Sequence, residues 1–150
     1  MKLSTIIGQF GRPIKFLKIK KLSNIASKNK FYKIIEHERE RVNRNGHDVS
    51  MVLFDLALLK GNAEEKKNLI GRINHNIRSV DEIGWYDKQR VGVILPYTSP
   101  HGARVFSARI CRSLNIIMPD SFCSVFTYPQ ENDLVDDSDS NIESERQIEK

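Results

Sequence analysis

The chain has 150 residues, 39% of them hydrophobic and 29% charged, a balance typical of one globular domain with tails. No apolar run reaches the roughly eighteen residues of a membrane span, and residues 1–30 lack a signal peptide's apolar region and cleavage site, so we expect a cytoplasmic protein. Two cysteines, Cys111 and Cys123, exclude a disulfide-rich secreted framework, and we expect both to be buried free thiols.

The net charge of +5 conceals two oppositely charged ends. Residues 1–30 contain eight Lys or Arg and no acid, which predicts a basic arm or linker. Its interleaved Ile, Phe and Leu suit an anionic membrane surface or a protein partner, with a solvated linker as the alternative, so the protein could also lie peripheral to the inner membrane. No nucleic-acid motif accompanies the arm, and we predict no nucleic-acid binding. Residues 130–150 contain eight acids and no aromatic residue, which predicts a disordered acidic tail.

The first predicted elements are a helix and a long strand. Apolar residues recur at helical spacing from Phe31 to Val42, and Asn45-Gly46 ends that helix. The β-rich run from Val49 to Leu59 predicts a strand.

A second helix, capped by Asn62, is predicted from the apolar residues between 69 and 77. Two short strands follow, over 82–86 and 90–95, with a hairpin turn at 87–89. A third helix is capped by Thr98 or Ser99, with Pro100 in its first turn. Residues 121–128 are the last predicted strand, which makes the order α-β-α-β-β-α-β. After its leading helix this is the α+β, ferredoxin-like βαββαβ arrangement.

Residues 31–129 resemble a GGDEF domain, the fold of bacterial diguanylate cyclases. The family's strand, L-x-D-I-D-x-F-K, resembles residues 53–60, where Asp55 falls on the first family Asp and Lys60 on its Lys. The family's R-x-x-D-x-x-x-R-Y-G-G-D-E-F-x-x-L-L-P resembles residues 78–96 without a gap. The wording also resembles diverged GGDEF-like domains associated with bacterial exopolysaccharide and sugar-transferase systems.

The resemblance implies that the family's catalytic site has been lost. Making cyclic di-GMP from GTP requires a divalent metal, carboxylates that hold it, and glycines that let the backbone approach the nucleotide. Ala57 replaces the second family Asp, and the family's Gly-His-x-x-Gly-Asp segment after Lys60 is missing. The signature GGDEF is replaced by Asp87, Lys88, Gln89, Arg90 and Val91. We therefore expect no enzyme activity, no metal and no cofactor, and regard Asp55 and residues 87–90 as a vestigial site.

Arg78 and Asp81 match the family's inhibitory R-x-x-D site, which binds cyclic di-GMP without needing catalysis. A guanidinium pairs with phosphate and guanine acceptors, and a carboxylate accepts from guanine N–H groups. The alternative is a structural pair, with Arg78 near a helix C-terminus and Asp81 at a strand entrance. We predict a non-catalytic regulatory or scaffolding domain. The alternatives are an interaction module without a small ligand, including a homodimer, and, least favoured, an active cyclase.

Overall fold

A computed structural model of the protein describes residues 25–59, 63–117 and 119–130. The predicted basic arm up to residue 24, Lys60, Asn62 and the acidic tail from residue 131 lie outside these ranges. The helices are α1 (Lys28–Asn45), α2 (Ala63–Asn76), α3 (Pro100–Ser113) and α4 (Pro119–Phe122), and the strands are β1 (Val49–Asp55), β2 (Glu82–Trp85), β3 (Arg90–Pro96) and β4 (Cys123–Tyr128). No helix within the described ranges is long and apolar enough to cross a membrane.

The four strands form one antiparallel sheet in the order β2-β3-β1-β4. β1 and β2 are separated by β3 and joined through α2, which is the split βαβ connection of the ferredoxin-like arrangement. The predicted α+β fold class is therefore confirmed. The sheet leaves β2 and β4 as its edges, and it places the β2–β3 hairpin at the end where β1 finishes.

Each face of the sheet is covered by different helices because side chains along a strand alternate between the two faces. α2 and α3 pack on one face, where the buried cluster includes Val52, Phe54, Leu69, Ile73, Val93 and Ile110. α1 packs on the other face, where the buried cluster is Ala26, Phe31, Val42, Val49 and Ile94. The predicted apolar stripes of the second and third helices therefore form the larger core.

The leading helix α1 has a capping residue at each end. The Ser27 side chain accepts a hydrogen bond from the Lys30 N–H at 3.4 Å, and Gly46 ends the helix in the left-handed conformation at φ 69°. Ala26, before the helix, pairs with β2 through backbone hydrogen bonds to Ile83 and Trp85. The packed fold thus begins a few residues before the predicted start at residue 31.

Three strands are shorter than predicted: β2 ends one residue early, at Trp85, and the larger differences in β1 and β4 each have a local cause. β1 ends at Asp55 and not at Leu59, because Asp55 Oδ1 accepts the Ala57 N–H at 2.9 Å and turns the chain into a 3₁₀ helix, Leu56–Leu59. The last strand begins at Cys123 and not at residue 121, because Pro119 starts the short helix α4.

The cysteines are free, as predicted, but only Cys111 is fully buried, whereas Cys123 is half-buried. Their sulfur atoms lie 3.9 Å apart. Burial, and then the neighbouring Cys123, raise the pKa of Cys111 to about 12. At neutral pH the Cys111 thiol is therefore protonated and packs in the larger core, between α3 and the sheet.

Candidate functional site

The β2–β3 hairpin turn is organised around the carboxylate of Asp87. Its Oδ1 accepts hydrogen bonds from the backbone N–H groups of Gln89 at 2.8 Å and Arg90 at 2.7 Å. Its Oδ2 accepts from Arg90 Nε at 2.7 Å, and Arg90 Nη2 lies 2.7 Å from the same oxygen. The first four of the five altered signature residues, 87–90, thus form a closed turn stabilised by an ion pair.

Asp55 lies beside this turn. It is the last residue of β1 and the register partner of Arg90 across the β1–β3 ladder, and the following Leu56 N–H donates to the Gln89 carbonyl at 2.8 Å. The structure therefore brings Asp55 together with Asp87, Lys88, Gln89 and Arg90 at one end of the sheet.

Charges at this end of the sheet compensate one another. The Gln89 N–H first, and then the Arg90 side chain, favour the ionised carboxylate of Asp87 and lower its pKa. The hydrogen bond to Asp87, followed by the charges of Asp87, Tyr86 and Asp55, raises the pKa of Arg90. Arg90 is therefore a permanent cation held between acidic neighbours.

Aromatic rings extend the hairpin toward α1. The Arg90 guanidinium lies 4.8 Å from the centre of the Tyr86 ring, and Tyr86 stacks on Tyr32 of α1 at 5.4 Å. Lys28 lies 5.9 Å from the centre of the Tyr32 ring. Tyr32 was not predicted as a site residue, because nothing in its local sequence distinguishes it from another exposed helical position.

Arg78 and Asp81 form a compact pair at the opposite end of β2. The Asp81 carboxylate is 2% exposed and accepts from the Arg78 backbone N–H at 2.7 Å, from Nη2 at 2.9 Å and from Nε at 3.2 Å. Arg78 Nη2 also donates to the Pro96 carbonyl at 2.9 Å and to Thr98 Oγ1 at 3.0 Å. The Arg78 side chain nevertheless keeps 53% of its surface exposed. The pair fastens the end of α2 to the end of β3.

Thr98 was one of two predicted caps of the third helix. Ser99 is the residue that caps α3, since its side chain accepts the Gly102 N–H at 3.2 Å. Thr98 instead contacts Arg78, a contact 20 residues away in sequence that no local pattern indicates. Across the part of the chain that the structure describes, no group of three or more His, Cys, Asp or Glu side chains could hold a metal ion.

No protein-family model and no curated protein sequence matches the chain. Among solved structures, a DGC protein from Thermotoga maritima is similar over 71% of this chain and 83% of its own, with 13% identity and a TM-score of 0.58. The GGDEF domain of TpbB, or YfiN, from Pseudomonas aeruginosa is similar over 73% of this chain and 74% of its own, with 16% identity and a TM-score of 0.55.

A third similar structure is the GGDEF domain of DgcB from Caulobacter crescentus, solved in complex with c-di-GMP. It covers 69% of this chain and 71% of its own, with 13% identity and a TM-score of 0.51. Likeness at such low identity concerns the backbone arrangement alone. Residues 25–130, where described, have the fold of a GGDEF domain.

Proposed function

We propose that the chain is a non-catalytic GGDEF-like domain that regulates or scaffolds, in an exopolysaccharide system as its resemblance implies. The observation that carries this proposal is the ion pair of Arg90 with Asp87, directly beside Asp55. A guanidinium stands at the position that the resemblance aligns with the family's signature Glu.

The physical argument is electrostatic. Metal-dependent nucleotide chemistry needs carboxylates that are free to bind a divalent cation. Here Asp87 is already bound to Arg90, and the guanidinium of Arg90 disfavours a second cation at the same carboxylate. The side chains of Asp87 and Lys88 also occupy positions that the resemblance aligns with glycines. These features together support the loss of catalysis.

A charge reversal at the hairpin tests this argument. Arg90→Glu removes the opposing cation and adds a carboxylate next to Asp55 and Asp87, so we expect it to gain saturable Mg²⁺ binding that the unaltered chain lacks. Arg104→Glu makes the same charge change on the exposed surface of α3, near the other end of the sheet, and is expected to gain none. Isothermal titration calorimetry measures Mg²⁺ binding by the unaltered chain and by the two variants. Saturable Mg²⁺ binding by the unaltered chain at about 1 mM or below would contradict the argument.

Cyclic di-GMP reception is the second candidate function, and the half-exposed side chain of Arg78 favours it. The sequence assigned both Arg78 and Asp81 to the ligand. Because the Asp81 carboxylate is 2% exposed and already accepts from Arg78, we revise that assignment: Arg78 contacts the ligand, and Asp81 orients Arg78. The DgcB domain solved in complex with c-di-GMP offers a parallel in the same fold.

Calorimetry with cyclic di-GMP distinguishes the receptor from a domain without a small ligand. We expect micromolar binding that Arg78→Ala removes and that Arg72→Ala, an exposed arginine on α2, leaves intact. Circular dichroism checks that Arg78→Ala stays folded, because it deprives the buried Asp81 of its partner. An absence of heat from the unaltered chain would refute the receptor and favour the interaction module. Partner capture should then require residues 1–24, since Ala26 and Ser27 already belong to the fold.

A further inference from the structure

A cleft lies between α1 and the β1–β4 side of the sheet, and no residue of the hairpin or of the Arg78–Asp81 pair lines it. Its volume is about 320 Å³, at the small end of the roughly 300–1,000 Å³ typical of small-molecule sites. Its lining includes Ile35, Glu38, Met51, Ile94, Phe126 and Tyr128. The walls are thus mostly apolar, with one acidic side chain, Glu38, and one basic side chain, Arg39, among them.

Glu38 of α1 brings a half-satisfied carboxylate to this cleft. The residue is 7% exposed, and its Oε1 accepts from Arg41 Nη1 at 2.7 Å. Its Oε2 is buried and has no hydrogen-bond partner among the residues that the structure describes. Burying an ionised oxygen without a donor costs free energy, so a donor supplied from the cleft would be strongly favoured.

Two aromatic residues of β4 shape the cleft around that carboxylate. The Tyr128 ring is held by the hydroxyl, which donates to Asn43 Oδ1 at 2.7 Å, and by the Arg39 guanidinium, 4.8 Å from the ring centre. Phe126 stands across from Met51 in the ladder and remains 46% exposed. The held ring of Tyr128 and the solvent-exposed ring of Phe126 therefore border the cleft. This arrangement suits an apolar group that enters from solvent.

We propose that this cleft is a binding site for a small organic cation, a protonated primary amine carried on a short aromatic or alkyl body. The ammonium group donates to Oε2 of Glu38, while the apolar body lies against Met51, Ile94 and Phe126. Arg41 already pairs with Oε1, so the ligand supplies the donor that Oε2 lacks among the described residues. A neutral alcohol of the same shape donates a weaker hydrogen bond than an ammonium group, and a carboxylate offers no donor. The strength of the donor therefore sets the selectivity of the site, and apolar contact sets its affinity.

Three probes of one shape and different charge test this proposal on the full chain: 2-phenylethylamine, 2-phenylethanol and 3-phenylpropionate. Amide chemical shifts in ¹H–¹⁵N NMR spectra report which residues respond. We expect saturable shifts at the cleft residues with the amine, about tenfold weaker binding of the alcohol, and no binding of the carboxylate. Glu38→Gln should weaken the amine about tenfold and abolish its advantage over the alcohol, whereas Glu40→Gln, an exposed acid on the same helix, should change neither.

Two results on the unaltered chain would overturn the proposal. One is that the amide chemical shifts of the cleft residues do not change at amine concentrations up to about 10 mM. The other is equal binding of amine and alcohol, which would reduce the cleft to an apolar surface. Both are measured on the unaltered chain, so the test does not depend on the folding of Glu38→Gln. Ile35→Phe, which fills the cleft from α1, should abolish the amine shifts, and retention of those shifts would also overturn the proposed location.

Discussion

The carboxylate of Asp87 holds the hairpin turn together through three donors. Two of them are backbone N–H groups and one is the Arg90 side chain, and together they lower its pKa. A lowered pKa means that the folded hairpin stabilises the ionised form of Asp87. The stability of the hairpin therefore depends on pH. The link has a definite direction, since only the ionised carboxylate accepts from all three donors.

The hairpin should therefore loosen in acid and not at neutral pH. The stabilisation from Asp87 is complete above the pKa of an unfolded Asp, about 3.9, and is lost as the pH falls through the lower folded value. An NMR titration of the Asp87 carboxyl carbon should give a midpoint below that of a free Asp side chain. The amides of Gln89 and Arg90 should follow the same midpoint, and Asp87→Asn should remove their response. A midpoint at or above about 3.9 would contradict the hydrogen bonding described.

At the scale of elements, α1 is seated on the sheet by Phe31, which is fully buried. A Cβ atom at Gly92 would lie 2.6 Å from the Phe31 ring, and a Cβ at Gly84 would also collide with that ring. β2 and β3 therefore present a glycine each where the helix approaches. Since neither glycine has a positive φ, space and not backbone conformation requires them.

An alanine series separates this close approach from a general effect of glycine. Gly84→Ala and Gly92→Ala should each lower the free energy of unfolding by about 1–3 kcal/mol, because the added methyl displaces Phe31. Gly71→Ala on α2 has open space for the methyl and should raise it by about 0.5–1 kcal/mol. Urea denaturation followed by circular dichroism measures all three. Equal effects at the three positions would refute the proposed seating of α1.

Element identities could be predicted from periodicity, whereas two element ends could not. The helical spacing from Phe31 and the Asn45-Gly46 stop are local signals, and both agree with α1. The end of β1 depends on the Asx turn at Asp55, and the start of β4 depends on the helix that Pro119 begins. Each removes residues from a run that predicts a strand over its whole length. An apolar run alone does not distinguish a strand from a short helix.

At the scale of the whole molecule, the part of the site that the sequence could predict is the part that depends on the register between β1 and β3. The meeting of Asp55 with residues 87–90 follows from the pairing of β1 with β3, which the family resemblance implies as a fold. The stack of Tyr32 on Tyr86, the contact of Arg78 with Thr98 and the cleft beside Glu38 depend instead on how helices dock. Docking is decided by side chains distant in sequence, so no local pattern could predict these contacts.

The central claim is that this domain has the GGDEF fold without the chemistry. The most direct measurement is incubation of the full chain with GTP and Mg²⁺, followed by chromatographic analysis for cyclic di-GMP, with an active diguanylate cyclase run in parallel. The paired Arg90 and Asp87 predict no product above a protein-free blank, while the active enzyme converts its GTP. Formation of cyclic di-GMP in proportion to the amount of this chain would contradict the claim.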